Sequence, residues 1–232
     1  DQVAAGLENG EIQLWSALPD NQNPIQTFFA KKDDRVLDLA FSQDSRLLFS
    51  GHGSGAVVQW DLQPQGVPQT SKPTMVSKTE AGFPVYAIAL VGSRETDLAI
   101  AGVRNRLALL NLKTNQLRNI SVDEGSQADY ILSIATADRK RTLLATANNR
   151  GRIQLWNLQP CLGSTAACEL LDRWTADPQA IHSVALSADG CYLASGGEGG
   201  KTMLWPLTPK GDRSAQGAQG QQLNRSSRSI NA

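Results

Sequence analysis

The sequence predicts an all-β protein made of repeated, four-stranded antiparallel units. The chain has 232 residues, and one apolar run recurs five times along it. The runs end at residues 15, 60, 110, 156 and 205, so their spacings are 45, 50, 46 and 49 residues. Each run is too short for a helix and lies between turn residues, which is typical of a strand. A repeat of this period is typical of folds in which each unit packs against the next.

These runs are predicted to be the third strand of each unit, at residues 11–15, 56–60, 106–110, 152–156 and 201–205. A short turn containing glycine or asparagine precedes each run, and these residues tolerate the positive φ of a tight hairpin. A second strand precedes each turn and ends in small residues, which allow neighbouring backbones to approach closely. These second strands lie near residues 3–6, 47–51, 98–102, 143–147 and 192–196.

A first strand precedes the hairpin in four units, at residues 36–41, 85–90, 131–136 and 181–186. When these strands are aligned, the fifth position is always alanine: Ala40, Ala89, Ala135 and Ala185. A repeated small residue suits a crowded central axis on which the first strands converge. A fourth, more polar strand is predicted at the outer edge, with candidates at 74–78, 117–122 and 170–174. The pattern therefore predicts a β-propeller with about five four-stranded blades, of which the first and last are incomplete.

The predicted units lie near residues 1–30, 31–79, 80–123, 124–175 and 176–207. Residues 208–222 are polar and rich in glycine and glutamine, so we expect a flexible loop there. Residues 223–225 resemble residues 171–173, and residues 230–232 could begin a first strand, so 223–232 is a candidate start of a further blade. A disordered tail is the alternative. We expect the chain to be an internal slice of a longer protein with further domains.

Over residues 1–207 the chain resembles the WD-repeat family of propellers. The Trp-Asp pair that closes the third strand in that family is intact only at Trp60 and Asp61. The other four predicted third strands end in residues that are not followed by aspartate: Trp15, Leu110, Trp156 and Trp205. The turns at 42–45 and 187–190 also match the family. The resemblance implies a sensor or scaffold part of a larger signalling protein, and such proteins include bacterial ones.

One family feature is missing from the sequence. A Gly-His pair usually precedes the first strand, and its histidine joins a buried hydrogen-bond network with the tryptophan. The matching loops at 32–34, 80–82, 127–129 and 178–180 contain no histidine. The resemblance therefore implies that the network is absent and that apolar packing between blades supplies more of the stability.

Composition argues against several functional classes. The chain has 22 Lys+Arg and 22 Asp+Glu, so it lacks the positive charge that favours nucleic acid or an anionic membrane surface. No stretch approaches the roughly 18 apolar residues of a membrane span. Three cysteines (Cys161, Cys168 and Cys191) are too few for a disulfide scaffold. We expect reduced thiols in a cytoplasmic protein, with a Cys161–Cys168 bridge as the alternative.

No residue pattern predicts catalysis, a metal site or a cofactor. His52 falls in a predicted hairpin turn and His182 in a first strand, where a solvated or hydrogen-bonded histidine is expected. The glycine-rich stretch 196–200 joins two strands and lacks the Lys-Ser/Thr pair of a phosphate loop. The alternative is an enzyme of the metal-dependent hydrolase type with its site at the central channel, where Asp34, Asp38 and Asp129 are the nearby carboxylates.

The predicted function is non-catalytic protein–protein interaction, because binding residues accumulate on loops of rigid scaffolds. Charge clusters at 31–35 and 138–141 fall in loops on opposite faces, where a solvated loop is the ordinary interpretation and a contact patch is the alternative. For binding we favour the face of the first cluster. Phe83 and Tyr130 are candidate anchors there, or they pack over a blade edge. A structural spacer between domains is the remaining alternative. The candidate partner-binding residues are Lys31, Lys32, Asp34, Arg35, His52, Phe83, Arg104, Asp129, Tyr130 and Gln179.

Overall fold

The structure, a computed structural model, describes residues 2–17, 23–63, 73–92, 96–120, 128–137, 142–164, 166–208, 212–213 and 219–225. Within these ranges the regular structure is β-strand, in five antiparallel sheets. Sheet 1 has three strands: β1 (Gln2–Gly6), β2 (Glu11–Ser16) and β3 (Gln26–Phe29). Sheet 2 contains β4 (Val36–Phe41), β5 (Leu47–His52), β6 (Ala56–Asp61) and β7 (Thr74–Glu80).

The remaining three sheets repeat the order of sheet 2. Sheet 3 contains β8 (Val85–Val91), β9 (Asp97–Gly102), β10 (Leu107–Asn111) and β11 (Gln116–Ile120). Sheet 4 contains β12 (Ile131–Ala137), β13 (Leu143–Asn148), β14 (Arg152–Asn157) and β15 (Glu169–Thr175). Sheet 5 contains β16 (Ile181–Leu186), β17 (Tyr192–Gly197), β18 (Lys201–Pro206) and β19 (Gln221–Arg225).

The predicted all-β fold of four-stranded propeller blades is confirmed, because strands adjacent in sequence pair in every sheet. Two outer strands differ from the sequence analysis. β3 gives sheet 1 an outer strand that the analysis did not identify. β19 pairs with β18, so residues 221–225 form the outer strand of sheet 5, as β15 does in sheet 4, and residues 221–222 are strand where a loop was expected. The start of a further blade beyond this strand stays a prediction. Residues 226–232 and 138–141 lie outside the described ranges.

The core lies between the sheets, with one apolar cluster at each of the four interfaces. Ile12 and Leu14 of sheet 1 pack with Trp60 of sheet 2, and the same arrangement recurs from sheet 2 to 3, 3 to 4 and 4 to 5. The first strands β4, β8, β12 and β16 also contact one another in succession. A single sheet cannot bury both of its faces, so this stacking supplies the hydrophobic stabilisation.

The repeated run-end and alanine positions follow from this stacking. Leu110 and Trp156 are each 3% exposed, as are Trp60 and Trp205. Trp15 is only half-buried because no described sheet covers that face of sheet 1. The aligned alanines of sheets 2 to 4 are half-buried, whereas Ala185 of sheet 5 is exposed. Its exposure has the same cause, since no described sheet follows sheet 5.

A disulfide joins Cys161 and Cys168, so the expectation of three reduced thiols was wrong for this pair. The bridge closes the loop between β14 and β15. Arg118 of sheet 3 donates hydrogen bonds to the Cys161 carbonyl at 2.7 Å and to the carbonyls of Ser164 and Ala166 at 2.8 and 2.9 Å. The loop of sheet 4 is therefore fastened both to itself and to the neighbouring sheet.

Replacing both bridged cysteines with serine (C161S/C168S) is expected to lower the free energy of unfolding by about 2–3 kcal/mol, because the cross-link restricts the unfolded chain. Urea denaturation under non-reducing conditions measures the loss. The control is Cys191→Ser, since Cys191 is a half-buried free thiol and its change should cost little. Equal midpoints for the two variants would show that residues 161 and 168 are unpaired thiols.

Candidate functional site

The hairpins between second and third strands and the loops leading into first strands lie on one face of the molecule. We call it the hairpin face; its described residues are 7–10, 30–35, 53–55, 81–84, 103–106, 128–130, 149–151, 176–180 and 198–200. Each hairpin bonds to the loop that enters the next sheet. The backbone bonds join Asp33 N–H to Asn9 O, Ala81 N–H to Gly55 O, Asn105 N–H to Asp129 O and Ala176 N–H to Gly151 O, at 2.8–3.1 Å.

The close approach of hairpins and loops demands particular residues. Gly151 has φ of 68°, and a Cβ there would collide with the carbonyl oxygen of Asp177. Arg104 and Asn105 adopt φ of 58° and 52° at the tip of the hairpin between β9 and β10. A left-handed conformation costs a non-glycine residue about 1 kcal/mol, and tertiary contacts such as that from Asn105 to the Asp129 carbonyl offset it.

A buried chain of hydrogen bonds supports the hairpin face in sheet 2. Trp60 Nε1–H donates to Ser50 Oγ at 2.9 Å, and Ser50 Oγ lies 2.9 Å from His52 Nε2. The Asp34 carbonyl can only accept a hydrogen bond, so the Nδ1 atom that faces it carries a proton, and in this tautomer Nε2 accepts from the Ser50 hydroxyl. Nδ1 then donates to the Asp34 carbonyl at 3.2 Å. The expected absence of this network was wrong for sheet 2, since the histidine comes from the end of the second strand β5 and not from the loop before the first strand.

The other sheets contain shorter versions of this network. In sheet 5, Trp205 Nε1–H donates to Ser195 Oγ at 3.0 Å, but Gly197 occupies the position of His52, so the series of hydrogen bonds stops at Ser195. In sheet 4, Trp156 Nε1 is buried without a hydrogen-bond partner among the described residues. The network is therefore complete in sheet 2, partial in sheet 5 and absent at Trp156 of sheet 4 within the described ranges.

Three of the proposed contact residues lie beneath the surface. His52 is 0% exposed and Phe83 4%. Asp34 is 7% exposed, and its carboxylate accepts hydrogen bonds from Ser54 N–H at 2.9 Å and Ser54 Oγ–H at 2.6 Å. The ring of Phe83 packs on the backbone of Gly102. These residues support the hairpin face and do not themselves offer side chains to a partner.

The other proposed residues reach the surface of the hairpin face. Lys31, Lys32, Arg35, Arg104 and Gln179 are exposed. Tyr130 is half-buried, and its ring lies 5.9 Å from that of Tyr86. Asp129 forms an ion pair with Arg150 at 3.0 Å. The prediction that these residues bind a partner stays a prediction.

Bulges at the start of the first strands place four further side chains beside the hairpin face. In each of β4, β8, β12 and β16 the register shifts between the first and third residues. The extra residues are half-buried: Leu37, Tyr86, Leu132 and His182. Bulges redirect side chains, and they occur often beside binding sites. None of these four residues is among the candidates predicted from the sequence, although the second position of the aligned first strands varies and was the available signal.

Two segments of the chain match a known repeat family. The family model described as "WD domain, G-beta repeat" matches residues 22–61 and 168–206. The chain therefore contains WD repeats of this family. It is 25% identical over 208 residues to the Arabidopsis thaliana "WD repeat-containing protein ATCSA-1", covering 88% of this chain and 40% of that protein. It is 23% identical to Mus musculus striatin, covering 90% of this chain and 27% of striatin.

The chain therefore spans less than half the length of these two relatives. A shorter match, 34% identical over 59 residues, is to the human lysosomal-trafficking regulator, covering 25% of this chain and 2% of that protein. Among the described residues of this WD-repeat chain, no helix is long and apolar enough to cross a membrane.

The three carboxylates that the sequence suggested for a central channel have separate partners. Asp34 binds Ser54, and Asp129 binds Arg150. Asp38 of β4 accepts a hydrogen bond from the Ile88 N–H of the next first strand at 2.8 Å and lines a cavity of about 290 Å³. No group of three or more His, Cys, Asp or Glu suited to a metal ion occurs within the described ranges.

Burial raises the pKa of Asp38 from 3.8 to about 6, against the opposing effect of hydrogen bonds from Ile88 and Leu39. Because the folded state holds this proton more tightly than the unfolded state, Asp38 makes the protein less stable as the pH rises from about 4 to about 6. Ser133 occupies the same position in β12, and its Oγ accepts the Val184 N–H at 3.2 Å. The neutral hydroxyl makes this inter-sheet bond without a carboxylate.

Replacing Trp60 with phenylalanine is expected to lower the free energy of unfolding by about 1–2 kcal/mol more than Trp156→Phe. Both changes remove the same atoms, but only Trp60 loses a hydrogen bond and disturbs Ser50 and His52. Urea denaturation of the two variants measures the difference. Equal losses, or a larger loss for Trp156→Phe, would contradict the energetic role of the network.

Ionisation of Asp38 is expected to lower the free energy of unfolding of the original chain by about 1–2 kcal/mol between pH 4 and pH 6. Replacing Asp38 with asparagine is expected to remove this loss. This value is smaller than the roughly 3 kcal/mol implied by two pKa units, because the side chain is half-buried and partly screened. The measurement is the difference between the unfolding free energies of the original chain and of Asp38→Asn as a function of pH. A difference independent of pH would show that Asp38 titrates normally.

Proposed function

We propose that this WD-repeat chain is a non-catalytic protein-interaction scaffold and that the hairpin face binds its partners. The observation that carries the proposal is the alternation of hairpins and loops joined by backbone hydrogen bonds across all four sheet interfaces. Such bonds hold the loop backbones in one arrangement before a partner arrives, which reduces the entropy that binding must remove. Exposed and half-exposed side chains on this fixed backbone are then free to vary without disturbing the sheets.

Family membership supports the same proposal, because scaffold and sensor roles are what the WD-repeat resemblance implies. The contacts made by Asp34, Asp38 and Asp129 favour structural roles for these carboxylates over the alternative of a hydrolase site at the channel. Membership of a signalling protein belongs to the same proposal, whereas the Cys161–Cys168 disulfide removes the ground on which a cytoplasmic location was expected.

The experiment compares proteins captured from a native lysate by the immobilised chain and by four variants. Tyr130→Ala and Arg104→Glu alter the hairpin face. Their matched controls are Tyr192→Ala and Lys113→Glu, which alter exposed residues remote from this face. We expect the first two to reduce capture of specific partners by about tenfold, because aromatic and arginine side chains dominate interface energies. The control variants should capture the same proteins as the original chain.

Equal capture by all four variants, with unfolding midpoints unchanged, would overturn the proposal that this face binds. Loss of capture by the control variants alone would move the binding surface to the opposite face.

A further inference from the structure

We infer that the hairpin face recognises an acidic peptide segment of its partner, through a basic patch on the hairpins and loops of sheets 2 and 3. This inference rests on the proposed function and names the chemistry of the partner. The basic patch consists of Lys31, Lys32, Arg35, Arg104 and Arg106, all of which are exposed.

Contacts between the hairpins make these residues one surface. The Arg35 side chain lies against Gly53 in the hairpin of sheet 2. That hairpin binds the loop of sheet 3, through Ala81 N–H to Gly55 O at 2.8 Å. From this loop the Phe83 ring packs beneath the hairpin of sheet 3, and the Arg106 guanidinium lies 5.6 Å above it. The loops that carry the five cations are therefore in continuous contact.

The charges of the patch are available to a partner. Lys31, Lys32, Arg35 and Arg104 form no ion pair within the described residues, whereas Arg150 of the same face is paired with Asp129. Two acids lie in the same loop, Asp33 and Asp34, and Asp34 is buried with its carboxylate occupied by Ser54, whereas Asp33 is exposed.

The charge of the hairpin face changes sign between its two halves. The described residues at 7–10, 30–35, 53–55, 81–84 and 103–106 include five basic and three acidic residues, the acids being Glu8, Asp33 and the buried Asp34. Those at 128–130, 149–151, 176–180 and 198–200 include one basic and three acidic residues, the acids being Asp129, Asp177 and Glu198. A local acidic segment complements the first half, whereas an extended polyanion across the whole face would also meet the second half. This favours a peptide over a nucleic acid or an anionic membrane.

The test measures binding of a short fluorescein-labelled peptide of alternating glutamate and serine to the full chain, by fluorescence anisotropy. The control probe carries glutamine in place of glutamate. We expect the glutamate peptide to bind more tightly, and added salt to weaken that binding. The double variant Arg35→Gln/Arg104→Gln should bind it about tenfold more weakly, while Lys113→Gln, remote from the patch, should change affinity by less than about twofold.

Equal binding of the glutamate and glutamine peptides would overturn the inference, as would unchanged affinity in Arg35→Gln/Arg104→Gln. Tighter binding of a single-stranded oligonucleotide or of phosphatidylserine vesicles than of the glutamate peptide would overturn it in favour of those ligands. If Tyr130→Ala abolishes partner capture while the glutamate peptide fails to bind, the proposed function stands and the acidic segment is wrong. If Tyr130→Ala and Arg104→Glu also leave partner capture unchanged, the proposed function itself fails.

Discussion

The need of each sheet to bury both faces against its neighbours is the constraint on which the rest of this structure depends. An isolated four-stranded sheet exposes too much apolar surface, and stacking removes that surface from water at every interface. One residue at the end of each third strand, such as Leu110 or Trp156, is buried wherever a preceding sheet covers it. The half-burial of Trp15 and the exposure of Ala185 mark the two faces without a described neighbour.

Stacking also brings the hairpins and loops into contact, and the polar groups there become structural. His52, Asp34 and Phe83 look like surface candidates in the sequence because they lie in turns. In the structure they fill the space beneath the hairpin face and hold it together through Trp60, Ser50 and Gly102. A buried polar group costs free energy unless it is hydrogen-bonded. The complete network of sheet 2 avoids this cost, whereas the Trp156 indole, which has no hydrogen-bond partner among the described residues, bears it.

A net charge of zero conceals an uneven distribution of charge on the hairpin face. Basic residues collect on sheets 2 and 3, while acids predominate on the described loops of sheets 4 and 5. Between these halves, Arg118 joins sheets 3 and 4 near the outer edge by binding carbonyl oxygens of the disulfide-closed loop. The charges outside the patch thus include several with structural partners, such as Arg118 and Arg150, whereas Lys31, Lys32, Arg35 and Arg104 form no ion pair within the described residues.

The sequence by itself determined most of the repeated strands, their order within each sheet and the resemblance to WD repeats, because periodic apolar runs and turn residues act locally along the chain. It also placed Lys31, Arg35, Arg104 and Gln179 correctly on loops. Only the tertiary structure decided which turn residues are buried, where the histidine of the network comes from, that Cys161 meets Cys168, and that bulges redirect Tyr86 and His182. These outcomes depend on contacts between segments far apart in the chain, and those contacts exist only once the sheets have stacked.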